Sequence, residues 1–434
     1  MKTLILDGSQ AGDNVGSYSV ATLQSVIAAR GWNSEVVTLR DKKIGNCRGD
    51  LFCWLKSPGK CSFADDHQEI SEKYIASDLV ILLTPITFGG YSLTLKKMVD
   101  HQIQNTLPFF TTIDGEIHHQ KRYDKYPNVL IIGWLNEPDE QAESIFRNLA
   151  WRNSINFYAK VHVCDILYRK QPESVMKEQL DYCLDRVERH DSDAETTLPM
   201  IKHSSKPATP VRRALLLVGS PRMQKSTSSS LGSYLFEQLK MRGVETETIY
   251  LYQAINTAER MEALLQAIDS AELVVLAFPL YVDTLPMPVI SVFQDVVMHC
   301  KGNSKQTRFA AIVNCGFPEA HQNDNAIAVC AEFARSAGFE WIGGLSLGQG
   351  EGAVHAQPLI KLGRQGALIR QALEIAAGAL AIGQSVPDNA RALFAKPLMP
   401  VWMYTLGGTV SWNMKSRKYG TRKLLKARPY QKAI

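Results

Sequence analysis

Residues 219–230 read Gly-Ser-Pro-Arg-Met-Gln-Lys-Ser-Thr-Ser-Ser-Ser, a run of hydroxyls with a guanidinium and an ammonium. An apolar run, 214–218, precedes it, and helical periodicity follows. At such a strand-to-helix junction these residue types make an anion seat. Backbone N–H groups at a helix start point outward, and the helix dipole favours negative charge there. Ser220, Ser226, Thr227 and Ser228 add hydroxyls, and Arg222 adds charge on a planar fork. The loop has neither the Gly-x4-Gly-Lys-Ser/Thr spacing of a nucleoside-triphosphate cradle nor the Gly-x-Gly-x-x-Gly of a dinucleotide fold. Its hydroxyls suit a terminal monophosphate. A plain Ser/Thr helix cap has the same composition, so the neighbouring loops must decide.

Three further loops fall at matching places. Residues 279–286 contain Pro279, Leu280, Tyr281, Val282 and Asp283, a proline-flanked aromatic that can pack on a flat ring. Residues 314–319 open on Asn314 and include Gly316, which permits close backbone approach. Residues 348–352 hold three glycines. The first half offers a counterpart at 7–18, with Ser9, Asn14 and Ser17 but also Asp7 and Asp13, carboxylates that would oppose a phosphate they faced.

These loops need a scaffold that presents them on one edge, and the apolar pattern supplies it. Strand-like runs occur at 3–6, 35–39, 79–83, 129–132 and 161–167, and again at 214–218, 245–250, 273–277, 309–313 and 341–347. Helical periodicity fills the gaps, as at 19–29, 231–241 and 326–336. Near-continuous apolar strands alternating with helices imply a parallel sheet covered on both faces. Leu4 to Glu35 spans 31 residues and Leu215 to Glu245 spans 30, so the plan repeats. The expected fold is α/β: two tandem doubly wound five-stranded parallel sheets plus a basic C-terminal arm. The boundaries are 1–188 for the first domain, 189–211 for a Ser/Thr/Pro-rich linker, 212–385 for the second domain and 386–434 for the arm. Ligands of such sheets bind at the carboxyl ends of the strands, where the strand order reverses.

Together these segments resemble the NADPH-dependent FMN reductase family and its flavodoxin-fold relatives. Gly219-Ser-Pro-Arg followed by Ser226-Thr-Ser looks like that family's FMN-phosphate loop, and Pro279-Leu-Tyr-Val-Asp like its flavin-edge loop. In the first half Thr84-Pro-Ile-Thr-Phe-Gly-Gly-Tyr-Ser, with Pro85, Thr87, Phe88 and Gly89, looks like the ring-binding loop. Leu95-Lys-Lys-Met-Val-Asp100 looks like the helix after it, and Asp65-Asp66 is also similar to the family pattern. The resemblance implies two flavodoxin-like domains, bound FMN, hydride uptake from NAD(P)H, a small-molecule or protein electron acceptor, and a homodimer. The alternative is an electron-transfer, interaction or sensor protein on the same fold. No side chain need act as a general acid, because hydride goes to the flavin directly; the site residues are binders. The first half departs from the pattern at Ile86-Thr87, where an aromatic often sits, and in its acidic first loop. One half is therefore expected to keep the fold without the flavin.

Eight cysteines fall at 47, 53, 61, 164, 183, 300, 315 and 330. The short apolar start, Met1-Lys-Thr-Leu-Ile-Leu, suits a buried strand rather than a signal peptide, so cytoplasmic, reduced thiols are expected. Related iron–sulfur flavoproteins carry a cluster loop near the position of Cys47, Cys53 and Cys61. Here the spacings are Cys-x5-Cys and Cys-x7-Cys with only three thiols, although His67 offers a fourth donor. A packed, metal-free loop with Phe52 and Trp54 inside is expected. His118-His119, neighbours on an extended chain, point to opposite faces and read as a solvated or interface loop. From 386 onward ten Lys/Arg face one Asp, leaving the remainder with 38 Lys/Arg against 42 Asp/Glu. The basic character belongs to the tail, which weighs against nucleic-acid binding by the whole protein. Two roles suit the tail: an arm packed on a domain or second subunit through Trp402, Tyr404 and Trp412, or peripheral membrane contact.

Overall fold

The computed structural model describes residues 1–199, 201, 208–302 and 306–431. It divides into two compact units, Met1–Pro199 with Gly408–Ile434, and Met200–Gly407.

In the first unit β1 (Lys2–Asp7), β2 (Asn33–Thr38), β3 (Leu79–Pro85), β6 (Asn128–Leu135) and β7 (His162–Tyr168) form one sheet. An antiparallel hairpin, β4 (Thr106–Ile113) and β5 (Glu116–Lys121), comes between β3 and β6 in the chain. The sheet is parallel throughout, in the order β2-β1-β3-β6-β7. Alternate residues Ile5, Ile81, Leu83, Leu130 and Ile132 pack with Val15, Leu23 and Ile27 of the helix Asn14–Ala29, and with Leu180 and Leu184 of Glu173–Glu188. Leu4, Leu6, Val80, Leu82 and Ile131, on the other face, are equally buried. Burial on both faces is why these strands are apolar without alternation.

The second unit repeats the plan with β8 (Arg213–Val218), β9 (Glu245–Tyr250), β10 (Leu273–Pro279), β11 (Arg308–Asn314) and β12 (Glu340–Leu347), in the order β12-β11-β10-β8-β9. The helices Thr227–Lys240 and Ala367–Ala381 close one face over Leu216, Val218, Val275, Ala277 and Ile312. In both units the strands run second, first, third, fourth, fifth across the sheet. That is the flavodoxin-like order, whose direction reverses between the first and third strands.

All ten expected strands are present. The hairpin was not foreseen: the 118–119 stretch is neither solvated nor a plain loop. His118 is buried and bonded to Asn156 and Glu116. His119 stacks on Phe110 and packs against Trp54. Burial, aided by His118, pushes the His119 pKa down to about 3.

The chain ends also differ from expectation. Residues 386–434 do not act as one arm. Val386, Ala390 and Phe394 belong to the second unit's core, whereas 408–431 belongs to the first unit. The boundary falls inside the helix Val401–Arg417. The 189–211 linker is tied down at both ends. Thr196 and Thr197 carbonyls accept from Asn148 and Ser144, and Val211 N–H donates to Ala381. Its residues 200 and 202–207 lie outside the described residues. No helix among the described residues is long and apolar enough to cross a membrane.

Candidate functional site

The two units can be compared position by position at the carboxyl ends of their strands. After the first strand, the Gly8 N–H donates to Leu83 and the Gly219 N–H to Ala277, both at 2.8 Å. Any side chain here would collide: a Cβ at Gly8 would lie 2.8 Å from the Leu83 oxygen, and one at Gly219 2.7 Å from Val289 Cγ2. Each glycine lets its loop cross tightly to the helix start.

At the helix start the units diverge. In the first, Asp13 is the N-cap, and its Oδ1 accepts from the Val15 and Gly16 N–H groups at 3.1 and 3.3 Å. Arg169 grips the same carboxylate through both terminal nitrogens, at 3.0 and 3.1 Å, and the Trp134 indole donates to Oδ2 at 3.1 Å. Burial alone would raise the Asp13 pKa; the Arg169, Gly16 and Trp134 hydrogen bonds outweigh it and hold the carboxyl below its ordinary value. Arg40 bonds Asp7 and Ser9 Oγ at 3.1 and 3.0 Å, and Ser17 Oγ donates to the Asp13 carbonyl. The helix donors that would meet a phosphate are thus taken by a protein carboxylate with its own counter-ion.

In the second unit Ser226 is the N-cap. Its Oγ accepts from Ser229 N–H at 3.1 Å and donates to the Met223 carbonyl at 2.6 Å; its carbonyl takes the Ser230 N–H. The Thr227 and Ser228 N–H groups have no hydrogen-bond partner among the described residues. These are the outward-facing donors of a helix start. Ser228 Oγ accepts from Asn314 Nδ2 at 2.8 Å, and Thr227 Oγ donates to the Gly350 carbonyl at 3.3 Å. Ser220 Oγ accepts from Arg222 N–H at 3.4 Å. Arg222 makes a two-pronged ion pair with Glu351 at 2.9 and 2.5 Å, which holds the guanidinium charged. Four of the five expected anion ligands, Ser220, Ser226, Thr227 and Ser228, are buried at this helix start; Arg222 is half-exposed and engaged with a carboxylate.

Strand register explains the divergence. Pro85 pairs with Trp134 and Pro279 with Asn314, so the two residues occupy the same place at the end of the fourth sheet strand. The small Asn314 bonds to Ser228 and to the Phe278 carbonyl. Trp134, fully buried, reaches the helix start itself and bonds to Asp13.

The loop after the third strand is the same turn in both units. Thr87 and Gly90 exchange two backbone hydrogen bonds around Phe88 (φ 52°) and Gly89 (φ 74°). Tyr281 and Thr284 do so around Val282 (φ 43°) and Asp283 (φ 60°). A β-branched residue at positive φ is strained backbone, of the kind that persists at ligand sites. Leu280 N–H donates to the Asn314 carbonyl at 2.9 Å, tying this turn to the next strand. A Cβ at Gly316 would meet nothing within 4 Å, so that loop borders open space. Sequence reasoning missed Trp134, Arg169 and Arg40. Trp134 could have been found by sliding one half on the other, since it follows its apolar run as Asn314 follows its own. Arg169 and Arg40 carry no such signal.

Comparisons with known proteins agree with this architecture. Residues 1–111 match the family profile described as NADPH-dependent FMN reductase, and residues 212–301 match the flavodoxin-like fold. An iron-sulfur flavoprotein of Methanocaldococcus jannaschii is 35% identical over 100 residues, 23% of this chain and 51% of the relative. One from Archaeoglobus fulgidus is 30% identical over 100 residues, 23% of this chain and 48% of the relative. The chain thus spans about half the length of these relatives. A solved NAD(P)H:quinone oxidoreductase from Methanothermobacter marburgensis is 15% identical, covering 38% of this chain and 96% of its own, with a TM-score of 0.30. The chain is a tandem of two flavodoxin-like units, the first matching the NADPH-dependent FMN reductase family at residues 1–111 and the second the flavodoxin-like fold at 212–301.

Proposed function

We propose that the chain is a flavin oxidoreductase that holds FMN in its second unit, takes hydride from NAD(P)H and passes electrons to a small-molecule or protein acceptor. The observation that carries this reading is the pair of open N–H groups at Thr227 and Ser228, where the counterpart of Ser228 in the first unit, Val15, gives its N–H to the Asp13 carboxylate. The residues fit the cofactor. Two N–H donors and a ring of buried hydroxyls suit a dianionic monophosphate. The space beside Gly316 and the braced turn 281–284 border the same sheet edge. When bound, FMN supplies the redox chemistry. The chain supplies orientation: Asn314 fixes Ser228, the Tyr281–Thr284 hydrogen bonds hold the turn rigid, and Gly350 anchors Thr227. Three of the ligands already have partners and would share them: Arg222 with Glu351, Ser226 Oγ with the Met223 carbonyl and Thr227 Oγ with the Gly350 carbonyl.

The first unit carries the reductase match but a filled anion seat, which supports a role for it in architecture or partner contact rather than in holding a second phosphate. A homodimer is part of the same proposal.

The experiment is flavin stoichiometry on the purified full-length chain, followed by anaerobic addition of NADH or NADPH. One FMN per chain, bleached by a nicotinamide, is the expected result. A colourless protein that ignores added FMN would overturn the reading. Bound flavin that neither nicotinamide reduces would leave electron carriage in its place.

A further inference from the structure

The first unit gathers three metal-ligating side chains from separate segments. Cys61, His67 and His101 each place one donor atom within 4.8 Å of the others. The two imidazoles stack with centroids 4.2 Å apart and planes at 19°. Each ring is oriented through one nitrogen. His67 Nδ1 bonds to Asp65, whose carboxylate also accepts from the backbone N–H groups of Gly45 and His67 at 2.8 and 3.1 Å. His101 Nε2 meets the Gly45 carbonyl at 2.9 Å. Cys61 is held through its backbone, its N–H donating to Gln104 Oε1 at 2.8 Å and its carbonyl accepting from Gln68 at 3.0 Å.

The decisive atom is His67 Nε2. His67 is completely buried, and this nitrogen has no hydrogen-bond partner among the described residues. Buried polar atoms are normally paired. A ring nitrogen left free beside a thiol and a second imidazole, with a carboxylate on the opposite nitrogen, has the arrangement of a metal ligand and its orienting partner.

We propose that Cys61, His67 and His101 bind a single borderline-soft divalent ion of the zinc class. One sulfur and two imidazoles suit such an ion, and three protein donors leave one tetrahedral position for water or a further thiolate. On binding, the Cys61 thiol gives up its proton to solvent and the sulfur–metal bond takes its place. The ion would pin the loop after β2 to His101, beyond β3. The site differs from a thiolate-held cluster, because two of its three donors are imidazoles.

The test is titration of metal-stripped, full-length protein with Co2+, read as a difference spectrum against the flavin background, with metal analysis of the protein as purified. The expected result is about one metal ion per chain and a thiolate-to-cobalt charge-transfer band with tetrahedral ligand-field bands. Cys61→Ser should abolish the charge-transfer band, and Cys330→Ser, at a buried thiol in the other unit, should leave it unchanged. Asp65→Asn should weaken Co2+ binding about tenfold or more, as loss of a ligand's orienting partner does. Wild-type protein that shows no thiolate band would overturn the site, and so would several irons with labile sulfide per chain. Since the readout is cobalt absorbance, its failure leaves the flavin proposal standing.

Discussion

An N-cap side chain at a phosphate loop has two competing uses. It can satisfy the helix's own donors, or it can leave them for a ligand. Asp13 does the first, accepting two N–H groups on a carboxylate that Arg169 neutralises. Ser226 takes one N–H and leaves Thr227 and Ser228 open. Ser226→Asp should therefore convert the second unit into a copy of the first. Asp and Ser are comparable caps, so stability should change by less than about 0.5 kcal/mol. The new carboxylate would compete for donors and repel the phosphate. With hydrogen bonds to charged groups worth ~1.5–3 kcal/mol each, FMN affinity should fall at least tenfold. Fluorescence titration with FMN checks it, and an unchanged Kd would refute the anion-seat assignment. The reverse position yields a pH test. Asp13 has a pKa lowered below the ordinary 3.8, so its stabilisation is full at neutral pH and lost as pH falls through the lowered value. Asp13→Asn keeps a cap but loses the ion pair, which is partly solvent-screened on the Arg169 side. Urea unfolding should show a deficit of about 1 kcal/mol at pH 7 that closes as the pH falls below the ordinary carboxylate range. A deficit that persists in acid would mean that cap geometry, not charge, is at stake. The acidic character of 7–18 was legible in the sequence. That Asp13 would face the helix donors was not, because its counter-ion lies more than 150 residues away at Arg169.

At the scale of the element, strand and helix order was readable because each strand is buried on both faces and so keeps an unbroken apolar run. The β4–β5 hairpin was not readable. Its strands mix polar and apolar residues, and the pairing shifts register between Thr106 and Phe110, so no clean alternation announces them. The end of the fourth sheet strand decides what its edge can bind. Asn314 bonds to Ser228 and leaves the helix cap to Ser226, whereas Trp134 reaches the helix start and takes one oxygen of Asp13. Trp134→Ala should cost about 3–5 kcal/mol, the range for emptying a large aromatic from a packed site. Flavin content per chain should not change, because Asp13 and Arg169 still occupy the helix start. Calorimetry together with flavin release on that variant reads both quantities. A second equivalent of bound FMN would show that the tryptophan alone closes the first unit.

At the scale of the whole chain, the C-terminal residues belong with the N-terminal ones, an arrangement invisible to composition. The sequence shows the tail as a basic excess with aromatic anchors at Trp402, Tyr404 and Trp412; the structure shows what lies beneath the charges. Arg122, fully buried, finds no carboxylate among the described residues and instead donates to the Leu425 and Ala427 carbonyls at 3.2 and 2.7 Å as well as to Gln104 and Thr106. Leu425 packs with Leu107 and Phe109, Trp412 meets Trp54 edge-on, and Arg428 pairs with Asp124 at 2.6 Å. The residues just before this segment serve the other unit: Gln349 bonds to Leu398 and Met399, and Tyr404 to the Gly316 carbonyl. A chain cut at 385 would therefore strip Val386, Ala390 and Phe394 from the second core and lose its flavin, so the informative truncation is a chain ending at Gly407. That truncation leaves two hydrogen bonds of a buried guanidinium unmade and uncovers an apolar cluster. At ~1.5–3 kcal/mol for each charged-group bond, the first unit should lose several kcal/mol. Two-domain unfolding then separates the effects: the lower calorimetric transition should fall or vanish while the flavin-bearing transition and flavin content stay as they were. Sedimentation with anionic vesicles gives the rival outcome a reading, since a tail built for membrane contact would carry the full-length chain down with the lipid. A truncated chain with both transitions intact would mean that the tail contributes nothing to the fold and that its basic residues serve a partner instead.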